Sequence, residues 1–176
     1  MFLYGKLTSL ANNANTLEYG SEFAYLFAGC ANIRDASRLY FPTNTTNYCY
    51  IHMFSGCTAL IYPPKELPAK IVKQDSYRNM FNSCTSLRQS PQIRVTKANY
   101  GYSMNSMFYN CSSISAIWID LESWPNEDYH YNALHSWTYG VPATGYFYKP
   151  SGLTQIFNSE TGCYNRIPNG WTVYNH

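Results

Sequence analysis

The sequence predicts an α/β solenoid of about five 27-residue coils, each a short helix plus a short parallel strand. A small β-rich C-terminal cap is expected to close it. Three observations carry this reading. First, Cys30, Cys57, Cys84 and Cys111 follow one another at intervals of 27 residues. Second, apolar columns keep step with them without a gap. Phe27, Phe54, Phe81 and Phe108 stand three places before each Cys, with Leu26, Met53, Met80 and Met107 four before. Phe23, Tyr50, Tyr77 and Met104 stand seven before, and Ile33, Leu60, Leu87 and Ile114 three after. Third, the stretches that follow, such as residues 90–95 and 117–121, alternate apolar and polar residues as an extended strand does.

The offsets −7, −4, −3 and 0 are the stripe of an amphipathic helix, here only two turns long. Gly29, Gly56 and Asn110, just before the Cys, tolerate a left-handed turn and suit a helix end; Ser83 fits less well. A single such unit cannot bury its apolar face alone, so neighbours must stack, with like strands pairing about 4.8 Å apart. Extending the register by 27 gives a faded fifth coil. Tyr131, Leu134 and Val141 fall in the −7, −4 and +3 columns, while His135 replaces the Phe and Thr138 the Cys. Polar drift suits a terminal coil whose outer face meets water. The chain therefore divides into an N-terminal cap at 1–20, a repeat solenoid at 21–144 and a C-terminal cap at 145–176. The C-terminal cap has two short strands, within 145–152 and 166–174, bounded by Gly and Pro. The Asn12-Asn-Ala-Asn15 stretch of the N-terminal cap reads as loop.

Composition excludes several classes. Charged residues are 12% of the chain, about half the usual 25%, and the net charge is +2. No concentrated basic field exists to hold nucleic acid or an acidic membrane surface. The longest apolar run, residues 23–31, is about half a membrane span, so no membrane insertion is expected. The opening Met-Phe-Leu-Tyr-Gly-Lys lacks a basic region followed by an apolar stretch, so no signal peptide is expected. Either the protein is not exported in this form, or the chain is a piece of a longer one.

The phrases Met53-Phe-Ser-Gly-Cys-Thr-Ala-Leu60 and Met80-Phe-Asn-Ser-Cys-Thr-Ser-Leu87 resemble the BspA-type leucine-rich repeat. Tyr62-Pro-Pro-Lys-Glu-Leu-Pro-Ala69 and the ending Ile167-Pro-Asn-Gly-Trp-Thr-Val173 strengthen the resemblance, which runs over roughly residues 23–173. It belongs to surface proteins of gut Bacteroidales and of their phages. The resemblance implies a right-handed leucine-rich-repeat solenoid and an adhesion or binding role in an extracellular setting, on a bacterial cell surface or a virion. It also implies a host-surface glycan or protein as partner, or else self-assembly and virion proteins, and it brings no catalytic residues. The strand segments lack the full Leu-x-x-Leu-x-Leu spacing of ordinary leucine-rich repeats.

Catalytic and metal chemistry find little footing. There is no C-x-x-C, and ligands 27 apart in one column line up rather than converge on a tetrahedron. The four Cys read as a ladder of buried, free thiols acting as small hydrophobes. Stacked coils lie within disulfide reach, but side chains in one column point the same way and are committed to the core. Cys49 and Cys163 fall outside the ladder. His130 and His135 are five apart, not the i, i+4 of a zinc pair, and His135 reads as a half-buried capping residue. Asp120 and Glu122 share a strand face but read as a solvated edge rather than an acid–base pair. No phosphate loop, dinucleotide fingerprint or nucleophile elbow is present. Asn44-Thr-Thr46 and Asn110-Cys-Ser112 match the glycosylation pattern and read as chance matches. No catalytic residue, metal or cofactor is expected.

The positive signal is aromatic. Many of the 18 tyrosines fall outside the core columns, among them Tyr40, Tyr62, Tyr109, Tyr129, Tyr139, Tyr146 and Tyr148. Tyrosine presents a rigid apolar face with a polar tip and loses little entropy on binding. Tyr62, Arg88, Gln89 and Trp118 sit just after the +3 column and are the expected ligand-binding residues on the exposed sheet face. The expected function is therefore non-catalytic recognition. The alternative is a structural spacer or assembly element of a virion or surface fibre.

Overall fold

The computed structural model describes the backbone of residues 2–6 and, in full, residues 20–98, 101–125, 132–158 and 164–176. These residues form a parallel-strand β-solenoid of about four turns. The stacking of coils is as expected. The short helices, and with them the α/β class, are not: no helix occurs among the described residues.

Strand β1 (Phe2–Lys6) pairs in parallel with β2 (Asp35–Tyr40). Strands β3 (Glu66–Leu67), β4 (Gln89–Ile93), β5 (Ala116–Ile119), β6 (Tyr146–Lys149) and β7 (Thr172–Asn175) form a second parallel sheet in that order. The alternating stretches at 90–95 and 117–121 are β4 and β5. The two strands read as a C-terminal cap are β6 and β7, and they prolong the same sheet. The loop read at Asn12-Asn-Ala-Asn15 lies outside the described residues.

The helical stripe is instead a ribbon of turns, and its backbone shows why. In the second coil the amides of Tyr48, Tyr50, His52, Phe54 and Gly56 donate to carbonyls of the next coil. The amides between them, from Ile51, Met53, Ser55 and Cys57, donate three residues back within their own coil. Half the amides are thus taken by the neighbour and cannot close the i→i−4 bonds of an α-helix. Every fourth residue also has a left-handed backbone: Ser21, Tyr25 and Gly29, then Tyr48, His52 and Gly56, then Asp75, Asn79 and Ser83, then Tyr102, Ser106 and Asn110. A left-handed non-glycine residue costs of order 1 kcal/mol and interrupts any right-handed helix. The inter-coil hydrogen bonds offset that cost. A ribbon that turns every four residues buries side chains at nearly the helical period, so its apolar stripe resembles that of a helix.

The expected columns are in the core. Tyr50, Met53, Phe54, Cys57 and their counterparts one and two coils on are all fully buried. The rings of Phe27, Phe54, Phe81 and Phe108 stack at 5.4, 5.5 and 5.8 Å. The thiols do more than fill space. Cys57, Cys84 and Cys111 each donate Sγ–H to the carbonyl of the Phe in the preceding coil, at 3.0, 3.1 and 3.0 Å. All are free, as is buried Cys49. Burial pushes the Cys49 and Cys57 thiols up to about 12 and raises those of Cys84 and Cys111 well above the ordinary value too. The first coil departs from the pattern. Cys30 is exposed rather than buried, Leu26 is 42% exposed, and Phe27 is only partly buried. Cys163 lies outside the described residues.

The faded fifth coil is out by three residues. The amides of Met104, Ser106, Phe108 and Asn110 donate to Ala133, His135, Trp137 and Tyr139, and the left-handed positions Ser106 and Asn110 recur at Ser136 and Gly140. The step is therefore 30 residues, which places Leu134 in the −7 column, Trp137 at −4, Thr138 at −3 and Val141 at the Cys position. Trp137 lies 6.2 Å from Phe108, centre to centre, and its indole N–H donates to Arg166. His135 is half-buried beside this column rather than in the Phe position. Tyr129, His130 and Tyr131 lie outside the described residues.

Candidate functional site

Over its first four coils the turn side of the solenoid keeps the 27-residue rhythm, whereas prolines break it on the sheet side. Pro63, Pro64 and Pro68 flank β3 and have no amide to donate, so β3 is only two residues long. Strand β2 touches this coil through a single bridge, Asp35 to Tyr62, and then diverges. Between them opens a groove of about 440 Å³, within the 300–1,000 Å³ of ordinary small-molecule sites. One wall is Leu39, Tyr40 and Phe41; the other holds Lys65, Glu66 and Pro68; Gln89, Ser90, Gln92 and Trp118 complete it.

Pro91 disrupts β4 in the same way. The pairing with β5 slips between Gln89 and Gln92, and the Trp118 amide donates to Ser90 Oγ at 2.9 Å instead of to a ladder carbonyl. Ser90 in turn donates to the Pro91 carbonyl at 2.7 Å. Beyond the slip a single row runs across all five strands of the sheet: Glu66, Gln92, Trp118, Tyr148 and Tyr174. Its last three members form an aromatic ladder. Trp118 and Tyr148 stack at 4.6 Å with 4° between planes, and Tyr148 and Tyr174 at 5.4 Å with 19°.

The next row is ionic. Arg94 reaches Glu66 at 3.3 Å and Asp120 at 3.5 Å, and donates to Gln92 Oε1 at 2.7 Å. Lys70 and His176 lie 3.7 and 3.8 Å from the two oxygens of Asp120. Asp120 is thus engaged with three basic side chains rather than paired with Glu122. Exposed pairs of this kind contribute about 0–1 kcal/mol each, so their main effect is to hold Gln92 and Arg94 in place. A smaller hollow of about 210 Å³ lies among Gln92, Arg94, Trp118, Asp120, Tyr148 and His176. Trp118 borders both depressions. Among the described residues no group of three His, Cys, Asp or Glu is placed to hold a metal ion.

Of the four residues expected to bind ligand, Gln89 and Trp118 line the groove. Tyr62 is exposed at the bridge to Asp35, and Arg88 is exposed with its carbonyl accepting from Ser115; neither lines the groove. Sequence reasoning passed over Tyr40, Lys65, Glu66, Gln92 and Tyr174 as site residues. Along the central row the steps are 26, 26, 30 and 26 residues, so a search at 27 does not align them. The usable signal was the proline pair Pro64 and Pro91, 27 apart, which marks where the ladder must break. In comparisons with known proteins, no family model, curated protein or solved structure matches this chain.

Proposed function

We propose that this chain is a non-catalytic recognition module that binds a host-surface glycan or protein through its exposed sheet face. The observation that carries the reading is the ladder of Trp118, Tyr148 and Tyr174 running into an open groove rimmed by amides and compensated charges. Aromatic faces beside hydroxyl and amide groups favour partners that are apolar on one side and hydrogen-bonding at the edge. The resemblance to BspA-type repeats supports the same reading and an extracellular setting on a bacterial surface or virion. A second reading, an assembly element of a fibre or virion, draws on the exposed Tyr25, Leu26 and Cys30 of the first coil.

A glycan and protein array, followed by a salt series and sedimentation, tests both. Binding is expected to change little between low and high salt, since screening weakens only ionic contacts. Tyr148→Ala should weaken it and Lys73→Ala, away from this face, should not. Steep salt dependence would reject the mechanism. Self-association without binding to any arrayed partner would favour the assembly reading.

A further inference from the structure

The aromatic ladder ends abruptly, and where it ends is informative. Tyr148 covers one face of the Trp118 indole, so the other face must look toward β4, which lies on the opposite side of β5. The β4 residue in that row is Gln92, whose carboxamide is drawn toward Arg94. Trp118 is half-buried and lines the groove, with Gln92 rather than a ring beside its second face. The groove is also lined by Gln89, Gln92, Glu66, Lys65 and Tyr40, residues that carry amide, carboxylate, ammonium and phenol groups.

We propose that the groove binds one pyranose ring of a neutral saccharide, laid against the side of Trp118 that lines the groove. This proposal rests on the sheet-face reading above and names its ligand. A pyranose has an apolar C–H face to set against an indole and a rim of hydroxyls that both donate and accept. The groove offers both kinds of partner: carboxylate and amide oxygens accept, while ammonium and amide N–H groups donate. One acidic and one basic side chain face the groove, so it has no net charge with which to select an anionic ligand. An extended peptide fits less well. Strand addition needs backbone donors at the edge, and Pro63, Pro64 and Pro68 remove them from the β3 coil.

The experiment titrates the intact chain with cellobiose, lactose and β-1,4-mannobiose, with glucuronic acid, and with a Tyr-rich peptide, following the indole N–H resonance of Trp118. A neutral disaccharide should shift that resonance. Trp118→Ala should weaken binding about tenfold or more, a tenfold step being about 1.4 kcal/mol. Trp118→Phe should keep most of the affinity, Glu66→Gln should lower it several-fold, and Arg88→Ala should leave it unchanged. Melting curves establish that each variant is folded, and Glu66→Gln carries the test if Trp118→Ala is not. Saccharide binding that survives Trp118→Ala but fails in Tyr174→Ala would overturn the groove site while leaving sheet-face recognition standing. Binding of the peptide or of glucuronic acid alone would overturn the ligand class. No binding of any saccharide, with a protein captured on the array through Tyr148, would overturn this inference alone; an array blank as well would overturn both.

Discussion

The two long sides of the solenoid obey different rules. On the turn side four consecutive coils keep one 27-residue register, with Phe rings stacked, the thiols of the last three donating to the coil before, and left-handed residues recurring in step. On the sheet side the strands vary from two to six residues, prolines interrupt the pairing, and a slip separates Gln89 from Gln92. The difference teaches that the repetition which carries the core is confined to one side, while the other side varies from coil to coil. A side that repeats without error can carry the fold, and the other is then free to open a groove.

The largest test of this contrast is to remove one ring from each side. Phe81→Ala should cost about 3–5 kcal/mol, because the cavity opens between two coils that both pack on that ring. Trp118→Ala, half-buried on the sheet side, should cost much less in stability, and urea denaturation of the two variants measures the gap. Similar losses would mean that the sheet side carries the fold as well.

Alkali should attack the turn side selectively. The unfolded thiols ionise near pH 9, whereas burial holds those of Cys49 and Cys57 protonated to about 12 in the folded chain. Their contribution is therefore complete below pH 9 and is lost as pH rises from 9 to 12, while the unfolded state releases protons the folded state keeps. Each such group lowers stability by about 1.4 kcal/mol per pH unit in that window. Buried Tyr50 and Tyr77, also raised by desolvation, add to the loss once unfolded phenols ionise. Melting temperatures from pH 8 to 12 should fall steeply; a flat profile would contradict the buried ladder.

A smaller effect should have the opposite sign. Ser83 has φ of 60° at a position where earlier coils use Gly29 and Gly56. Ser83→Gly relieves left-handed strain at the loss of one hydrogen bond to Asn82 Oδ1. A gain of a few tenths to about 1 kcal/mol is expected in denaturant melts. The smallest effect is expected at Tyr77, whose hydroxyl is buried with no hydrogen-bond partner. Tyr77→Phe should leave stability unchanged or raise it by up to about 1 kcal/mol, since it removes an unsatisfied polar group. A clear loss would show that the hydroxyl is satisfied in solution.

The same contrast explains what could be read from the sequence. The Phe and Cys columns were legible because the turn side admits no insertions over four coils. Their local conformation was misread because burial every three to four residues is common to a helix and to a turn ribbon. Only the left-handed series through Ser, Asn, Asp and Gly separates the two, and Tyr25, Tyr48 and Tyr102 within it obscure that signal. The fifth coil was placed out of register because three added residues shift Trp137 next to Phe108. On the sheet side position alone singled out Trp118 and Gln89, which line the groove. Tyr148 and Tyr174 were not joined to them, because the central row steps by 26 and 30 rather than 27.

The division of amides between a coil and its successor also shapes how such a chain can fold. Each inter-coil bond on the turn side joins residues about one coil apart, so the characteristic loop to be closed is about 27 residues in a chain of 176, a relative separation of about 0.15. That value stays modest however many coils are stacked, and it falls as the chain lengthens. Ordering can begin wherever two coils first meet and spread outward one coil at a time, each newcomer docking on a finished template. Duplication of a coil would therefore lengthen the molecule without lengthening its slowest step.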